Sequence, residues 1–249
     1  MSTGRVHENV TGLILAGGQA RRMGGVDKGL ALFRGKRLVD HVYARLAPQV
    51  GGIIINANQN HDDYRTFGVR VVSDAIGNFA GPLAGLHAGL SVSRRPYLAS
   101  VPCDAPFLPA DLVQRLIEQL EASDAELAVA KTGKWLQPVF CLARRGVLDQ
   151  LTDFLKGGGR KVDAWYASLP VVEVNFDDQV EAFSNLNTRE DLAVFEQGET
   201  EVTKAAENTK LPAPAAAAAI DGFAATPQGT QARTDLRDAL KRVVSCMDD

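Results

Sequence analysis

The residues best suited to chemistry in this 249-residue chain lie in one short segment, residues 13–28, which reads LILAGGQARRMGGVDK. An apolar run there leads directly into four glycines and three cations, Arg21, Arg22 and Lys28. Glycines allow backbone N–H groups to approach a ligand closely, and such loops form concavities that bind anions. Arginine can donate two parallel hydrogen bonds to phosphate oxygens. The segment therefore predicts a phosphate-binding loop rather than a turn with a solvated basic face.

Two common phosphate-binding motifs are absent from the sequence. It contains neither GxxxxGK[ST] nor GxGxxG, so we predict neither a Walker A loop nor a dinucleotide fingerprint. The stretch LAGGQARRMGGVDKGL instead resembles the LAGGxxxRMGxxK signature of the nucleotidyltransferases that activate sugars and pterins. Within that superfamily, RMGGVDKGL is most similar to the molybdenum cofactor guanylyltransferases. The resemblance extends from residue 10 to about residue 195.

The resemblance implies which residues hold a nucleotide. The nucleotide loop falls on Leu15, Ala16, Gly17 and Gly18, and the phosphate-contacting catalytic cations fall on Arg22 and Lys28. An asparagine at a strand end matches Asn56, and a nucleoside-binding aspartate matches Asp74. Asp74 could accept hydrogen bonds from guanine N1–H and N2–H₂, contact the ribose, or close an Asx turn. Asn56 either contacts the ligand or only ends its strand.

The resemblance also implies a metal ligand and a pterin site. The family's metal-binding aspartate matches Asp104 in SVPCDAP, which makes Asp104 the third catalytic residue. Mg²⁺ is usually bound by one or two carboxylates together with substrate phosphates, whereas the competing interpretation of Asp104 is a helix cap or a turn. The N-x-N pair on the pterin side matches Asn185 and Asn187. Two amides at that spacing share one face of an extended loop, although Asn187 could instead begin a helix.

The implied activity is a Mg²⁺-dependent transfer of GMP from GTP to the terminal phosphate of molybdenum-molybdopterin. Pyrophosphate leaves, and the guanine dinucleotide form of the cofactor results. The implied partners are GTP and molybdopterin, with other cofactor-biosynthesis proteins and recipient apoenzymes as further candidates. Three alternatives stay open: a cytidylyltransferase acting on the same cofactor, a sugar-1-phosphate nucleotidyltransferase, and a non-catalytic carrier that binds GTP or the cofactor.

Alternating strand-like and helix-like segments must position these residues. Apolar runs of strand length are VTGLILAG, GGIIINAN, VRVVSD, YLASVPCDAP, ELAVAKTG, WLQPVFCLAR and VVEVNFD. Among the helix-like segments between them, PADLVQRLIEQLEAS has the clearest apolar stripe. This alternation predicts an α/β fold with a mainly parallel sheet, and the resemblance implies a Rossmann-like three-layer nucleotidyltransferase fold. Such sheets bind ligands at the carboxyl ends of their strands, where the glycine loop and Asp104 fall.

Composition excludes several other classes of protein. The net charge is −3 and the isoelectric point about 5.8, which argues against a nucleic-acid partner. Residues 1–50 nevertheless contain eight Lys and Arg against three Asp and Glu. No apolar run approaches the roughly 20 residues needed to span a bilayer, so we expect no membrane association. Three cysteines without metal-ligand spacing, and the lack of a leader resembling a signal peptide, favour the cytoplasm.

The sequence predicts one catalytic domain with a C-terminal appendage. We expect a flexible N-terminus at residues 1–9, a nucleotidyltransferase domain at 10–198, a low-complexity linker at 199–230, and a short C-terminal helix at 231–249. Two features depart from the family pattern. The family's GKPL is replaced here by GKRL, and the tail beyond about residue 198 has no recognisable counterpart.

Overall fold

The computed structural model describes residues 6–17, 27–76 and 81–186. In chain order its strands are β1 (His7–Leu15), β2 (Leu32–Phe33), β3 (Lys36–Arg37), β4 (Val50–Asn56), β5 (Arg70–Val72), β6 (Tyr97–Pro102), β7 (Leu127–Thr132), β8 (Trp135–Arg144) and β9 (Val171–Asn175). Its α-helices are α1 (Leu38–Leu46), α2 (His61–Arg65), α3 (Pro82–Val92), α4 (Leu112–Glu121), α5 (Leu148–Lys156) and α6 (Val162–Tyr166). A 3₁₀ segment, Asp177–Phe183, follows β9.

Seven strands form the main sheet in the order β5-β4-β1-β6-β8-β7-β9, and β2 pairs with β3 as a separate hairpin. Pairing in the main sheet is parallel except at β8, which is antiparallel to both β6 and β7. The predicted mainly parallel sheet is therefore confirmed. From β1 the chain builds outward to β4 and β5, and it then crosses to β6 on the other side of β1. Open α/β sheets bind ligands at such a reversal.

Helices cover both faces of the sheet and complete three layers. Adjacent residues of β1 point to opposite faces, since Leu13 and Ile14 are both fully buried but belong to different cores. One core is completed by helices α1, α2 and α4, through side chains such as Val42, Tyr64 and Leu116. The other is completed by α3, α5 and α6, through side chains such as Leu86, Leu151 and Trp165.

Helices α3 and α4 pack against the sheet in different ways. Helix α4 buries the apolar stripe that its spacing predicts, Leu112, Val113, Leu116, Ile117 and Leu120. Helix α3 is apolar almost all round and lies unusually close to the sheet because of Gly85. A Cβ atom at Gly85 would lie 2.5 Å from Leu15 Cδ2 and would also collide with the Asn56 side chain. Glycine at this position lets α3 press against the carboxyl ends of β1 and β4.

The structure differs from the sequence prediction mainly in its shortest elements. Strand β1 begins at His7, inside the segment predicted to be flexible. The β2–β3 hairpin and helices α2 and α6 were not predicted, because two to five residues are too few to show a periodicity. Residues 187–249, which include the predicted linker and C-terminal helix, lie outside the described residues. Within the described ranges, no helix is long and apolar enough to cross a bilayer.

Candidate active site

The carboxyl ends of four neighbouring strands, β5, β4, β1 and β6, meet at a cavity of about 570 Å³. Its lining includes eight of the predicted site residues: Leu15, Ala16, Gly17, Lys28, Asn56, Asp74, Asp104 and Asn185. The remaining three, Gly18, Arg22 and Asn187, lie outside the described residues. The fold thus brings together residues that are far apart in the sequence.

Backbone hydrogen bonds continue past the strand ends and hold the rim of the cavity together. The Cys103 amide donates to the Leu15 carbonyl at 3.1 Å, and the Ala16 amide donates to the Asn56 carbonyl at 2.8 Å. The Ala57 amide donates to the Val72 carbonyl at 2.9 Å. Side chains that follow these strands therefore project from a fixed backbone.

Lys28 and Asp104 form an ion pair in this cavity, with 3.4 Å between Lys28 Nζ and Asp104 Oδ2. Asp104 is only 7% exposed. Burial raises the pKa of its carboxyl group, while the charge and hydrogen bond of Lys28 act in the opposite direction. Helix α4 begins eight residues later at Leu112, with Asp111 as its N-terminal cap residue, so Asp104 does not cap it.

Asp27, to which the sequence analysis assigned no role, anchors the end of the glycine loop. Its Oδ1 accepts hydrogen bonds from the Tyr64 hydroxyl at 2.6 Å and from the Gly29 amide at 3.1 Å. Its Oδ2 accepts one from the Asn60 side chain at 3.1 Å. Burial, together with the Asp27 contact, raises the pKa of the fully buried Tyr64 hydroxyl, which therefore stays a donor. Helix α2 in this way fixes the residue that precedes Lys28.

A second network joins β4 to the segment after β5. Asn56 Nδ2 donates to Asp74 Oδ1 at 2.9 Å, and Asn58 Nδ2 donates to Asp74 Oδ2 at 2.8 Å. The Asp74 amide donates back to Asn58 Oδ1 at 2.9 Å. Both carboxylate oxygens of Asp74 are thus held by asparagines. Asn58 was not among the predicted residues, although the N-x-N spacing of Asn56 and Asn58 was an available signal.

Gly17 lies directly over these two asparagines. Asn58 Nδ2 also donates to the Gly17 carbonyl at 3.2 Å. A Cβ atom at Gly17 would lie 2.8 Å from Asn58 Nδ2 and 3.0 Å from Asn56 Oδ1. A side chain at this position would displace the asparagine pair beneath the loop, so glycine preserves that pair, a reason that differs from the predicted close approach to a ligand.

On the other side of Asp104, the chain that carries Asn185 is pinned by helix α4. Arg115 donates to Asp178 at 2.9 and 3.0 Å, and its guanidinium lies 4.0 Å from the centroid of the Phe176 ring. The Leu186 amide donates to the Asp104 carbonyl at 2.9 Å. The segment that bears Asn185 is thereby tied to the turn that bears Asp104.

Strand β8 bulges beside the cavity. Its pairing with β7 jumps from Val129↔Cys141 to Ala130↔Gln137, so residues 138–140 have no counterpart on β7. Pairing of β6 with β8 ends at Ser100↔Cys141, two residues before the end of β6. The bulge therefore opens the sheet next to Asp104, and Val139 lines the cavity there.

Other reactive side chains near the cavity carry no sign of activation. Cys103 is buried, and burial raises the pKa of its thiol well above the usual value. Among residues 6–17, 27–76 and 81–186, no three His, Cys, Asp or Glu side chains cluster as metal ligands. A cation at Asp104 would therefore take most of its ligands from bound phosphates and water, a pattern typical of Mg²⁺.

Known proteins are similar to this chain over the part that carries the cavity. A MobA-like NTP transferase domain matches residues 12–171. The molybdenum cofactor guanylyltransferase of Cupriavidus taiwanensis is 50% identical over 194 residues, which cover 76% of this chain and 97% of that protein. The molybdenum cofactor guanylyltransferase of Bordetella petrii is 50% identical over 188 residues, which cover 74% of this chain and 95% of that protein. The crystal structure of molybdopterin-guanine dinucleotide biosynthesis protein A from Archaeoglobus fulgidus shares the fold, with a TM-score of 0.61 at 22% identity, covering 74% and 95%.

Proposed function

The chain belongs to the MobA-like NTP transferase family, and from that membership we propose that it transfers GMP from GTP to the terminal phosphate of molybdenum-molybdopterin. The predicted family and nucleotidyltransferase fold are confirmed. The observation that carries the proposal is the Lys28–Asp104 pair beside the nucleotide loop. It supplies one cation for phosphate and one carboxylate for a metal in the same cavity.

The nucleoside end of GTP belongs on the β1, β4 and β5 side of the cavity. Asp74 faces that side and is held by Asn56 and Asn58. A carboxylate has about four lone-pair directions, so Asp74 can accept from guanine N1–H and N2–H₂ while both asparagines stay bonded to it. Fixing the acceptor in advance lowers the entropy cost of binding the base.

The triphosphate belongs at the glycine loop, with Lys28 and Arg22 as its cations. Asp104 fits a divalent metal, because it is a carboxylate that lines the cavity at a strand end, and carboxylate oxygens are ligands that Mg²⁺ prefers. Mg²⁺ held there would neutralise charge on the α-phosphate and on the departing pyrophosphate. The Asp27 anchor fixes the backbone beside Lys28, so the lysine side chain starts from a fixed point next to the proposed triphosphate site.

The acceptor belongs on the β6 and β8 side, near Asn185. An oxygen of its terminal phosphate attacks the α-phosphorus of GTP, and the bond from that phosphorus to the bridging oxygen of the β-phosphate breaks. Pyrophosphate leaves, so no covalent bond to the protein is formed. The chain contributes proximity and alignment, with the amides of Asn185 and Asn187 as proposed hydrogen-bonding partners of the pterin.

The remaining partners and the compartment follow from this activity. Proteins that make the cofactor, and apoenzymes that receive its dinucleotide form, are proposed partners. The cytoplasm is the proposed compartment. Cys103 and Cys141, the cysteines in the described part of the chain, are free thiols, in keeping with a reducing environment.

The test is pyrophosphate release from each of the four NTPs, with and without molybdenum-molybdopterin, followed by the same assay with sugar 1-phosphates. We expect turnover with GTP that depends on the molybdenum cofactor. A preference for CTP would identify a cytidylyltransferase, and turnover of a sugar phosphate would identify a sugar-activating enzyme. Tight GTP binding without pyrophosphate release under any condition would identify a carrier.

A further inference from the structure

Trp135 is the most exposed large hydrophobic side chain among the residues that the structure describes, at 68%. The chain has one other tryptophan, Trp165, which is fully buried. Three other large hydrophobic side chains in the described ranges are exposed, Val6, Leu32 and Val180. An exposed indole presents a large flat face to solvent at low conformational cost, which is the property of aromatic residues used for stacking.

Trp135 lies at the same edge of the sheet as the cavity. It is the first residue of β8, directly after the Gly133–Lys134 turn that ends β7. Both β6 and β7 are antiparallel to β8, so β7 ends at the edge where β6 leads into Asp104.

The bulge in β8 connects Trp135 to the cavity. Val139, within the bulge, lines the cavity, and Trp135 precedes it by four residues. At a rise of about 3.3 Å per residue, the two lie within about 13 Å of each other. Strand β8 therefore leads from the exposed indole to the cavity wall at Val139.

The turn that carries Trp135 is held in place from both sides. The Gly133 amide donates to the Asp177 carboxylate, and Gln137 Nε2 donates to Thr132 Oγ1 at 2.9 Å. The Lys134 ammonium lies 5.2 Å from the centroid of the Trp135 ring. The indole is therefore presented from a fixed hairpin with a positive charge beside it.

We propose that Trp135 stacks on the fused ring system of the phosphate-bearing acceptor, with Lys134 providing positive charge for that anionic molecule. The inference rests on the proposed function. Guanine is not the ring in question, because its proposed contacts follow β4 and β5. Strand β8 is three strand spacings from β4, about 14 Å, with β1 and β6 between them. The two rings thus occupy opposite ends of the site, and the reacting phosphates meet at Asp104.

The kinetic test compares Trp135→Ala and Trp135→Phe with Leu32→Ala, a matched control in which another exposed apolar side chain (65%) is removed. Stacking of one ring on an aromatic residue is worth about 1–3 kcal/mol by alanine substitution, so KM for molybdenum-molybdopterin should rise about 5- to 150-fold in Trp135→Ala. KM for GTP should not change. Trp135→Phe should retain most of the affinity, and Leu32→Ala should match the parent.

A binding test needs neither GTP nor turnover. A pterin monophosphate is titrated with each protein, and its own fluorescence is excited at wavelengths where tryptophan does not absorb. Stacking should quench this fluorescence with the parent protein and with Leu32→Ala, but not with Trp135→Ala. Emission from Trp165 reports whether the variant is folded, since that residue is buried in a different part of the molecule.

The outcomes separate this inference from the proposed function. An unchanged acceptor KM and unchanged quenching in Trp135→Ala would overturn the stacking role, and so would equal rises in the KM values for GTP and acceptor. If the parent makes no dinucleotide but quenches the pterin fluorescence through Trp135, the proposed function fails while the stacking role stands.

Discussion

Asp104 is a carboxylate that folding alone would not favour at its position. Burial raises its pKa, and Lys28 compensates for only part of the cost of desolvation by acting in the opposite direction. An ionisable group buried in a crevice at the expense of its solvation is a candidate for function rather than stability. The residue types and the family signature predicted Asp104 and Lys28, and the structure places them 3.4 Å apart.

Replacing Asp104 with alanine should leave a folded protein with below about 1% of parental turnover, a barrier increase of roughly 3 kcal/mol. The metal would lose its protein ligand, whereas Lys28 is exposed enough to be hydrated. Circular dichroism melts and pyrophosphate release measure the two effects. The control is Asp62→Ala, which removes a carboxylate whose side chain is 95% exposed. Turnover within about threefold of the parent, less than ~0.7 kcal/mol, would show that Asp104 does not bind the metal.

Asp74→Asn tests base recognition. The new amide nitrogen would face a guanine donor as well as the amide of Asn56 or Asn58. A donor left without an acceptor costs roughly 1–3 kcal/mol, so kcat/KM for GTP should fall about 5- to 150-fold. Because ITP lacks the N2 amino group, kcat/KM for ITP should fall less than kcat/KM for GTP. Asn58→Ala is the matched control, because it removes a hydrogen bond to Asp74 but leaves the carboxylate that is proposed to read the base, so it should affect GTP and ITP equally. If Asp74→Asn lowered kcat/KM equally for GTP and ITP, Asp74 would not bind guanine N2 and would instead contact the ribose or have a structural role.

Residues that the sequence analysis missed are those whose partners are distant along the chain. Asp27 depends on Tyr64, 37 positions away, and Asn58 depends on Asp74, 16 positions away. Local patterns report which residue types are present and how they alternate. They do not report which loops meet, and that is decided here by strand order.

At the scale of the elements, long strands and amphipathic helices were predictable, and short connections were not. Helix α4 buries the five residues that its spacing indicates. Helix α2 has five residues and no detectable period, yet it carries Tyr64, which anchors the residue before Lys28. The bulge in β8 likewise depends on how two neighbouring strands pair, which WLQPVFCLAR alone does not reveal.

The contact between α3 and α5 should make stability depend on pH. His87 Nε2 lies 3.0 Å from Thr152 Oγ1, whose hydroxyl donates to the Leu148 carbonyl, so Nε2–H is the donor to Thr152. His87 Nδ1 is buried without a hydrogen-bond partner in the described structure. Burial, reinforced by Lys156, lowers the pKa of His87 in the folded state. The folded protein therefore binds fewer protons than the unfolded chain below about pH 6.5, the ordinary histidine pKa.

The sign follows from this difference in bound protons. The free energy of unfolding should be unaffected by His87 well above pH 6.5 and should fall as the pH decreases toward the lowered pKa. Urea unfolding at pH 7.5 and pH 5.0 measures the change. His87→Gln, which retains a donor for Thr152 but does not titrate, should lose less stability over this interval than the parent. Equal losses in the two proteins would refute the contribution of His87.

At the scale of the whole molecule, the relatives match only part of the chain. Relatives that are matched over 95–97% of their own length match only 74–76% of this chain. The domain limits of 10–198, 199–230 and 231–249 stay predictions. Their basis is the shift after residue 198 to a segment rich in Ala and Pro, which has little apolar surface to bury.

Ending the chain at residue 198 should leave catalysis intact, because the residues proposed to bind the phosphates, the base and the metal all precede it. We expect GTP-dependent kcat/KM with molybdenum-molybdopterin to stay within about threefold of the full chain, less than ~0.7 kcal/mol. Circular dichroism confirms that the shortened protein is folded. A collapse of activity in a folded protein would assign the tail a role in the reaction.

The bulge in β8 also has an evolutionary consequence. The proposed donor half of the site is built from residues before position 75, whereas Trp135 and Val139 lie in one contiguous hairpin of β7 and β8. Under the proposed stacking role, substitutions in this hairpin are expected to change the use of the acceptor while the residues proposed to bind the nucleotide stay the same. The same modularity makes the hairpin a natural target for libraries aimed at new acceptors, with the donor chemistry inherited unchanged.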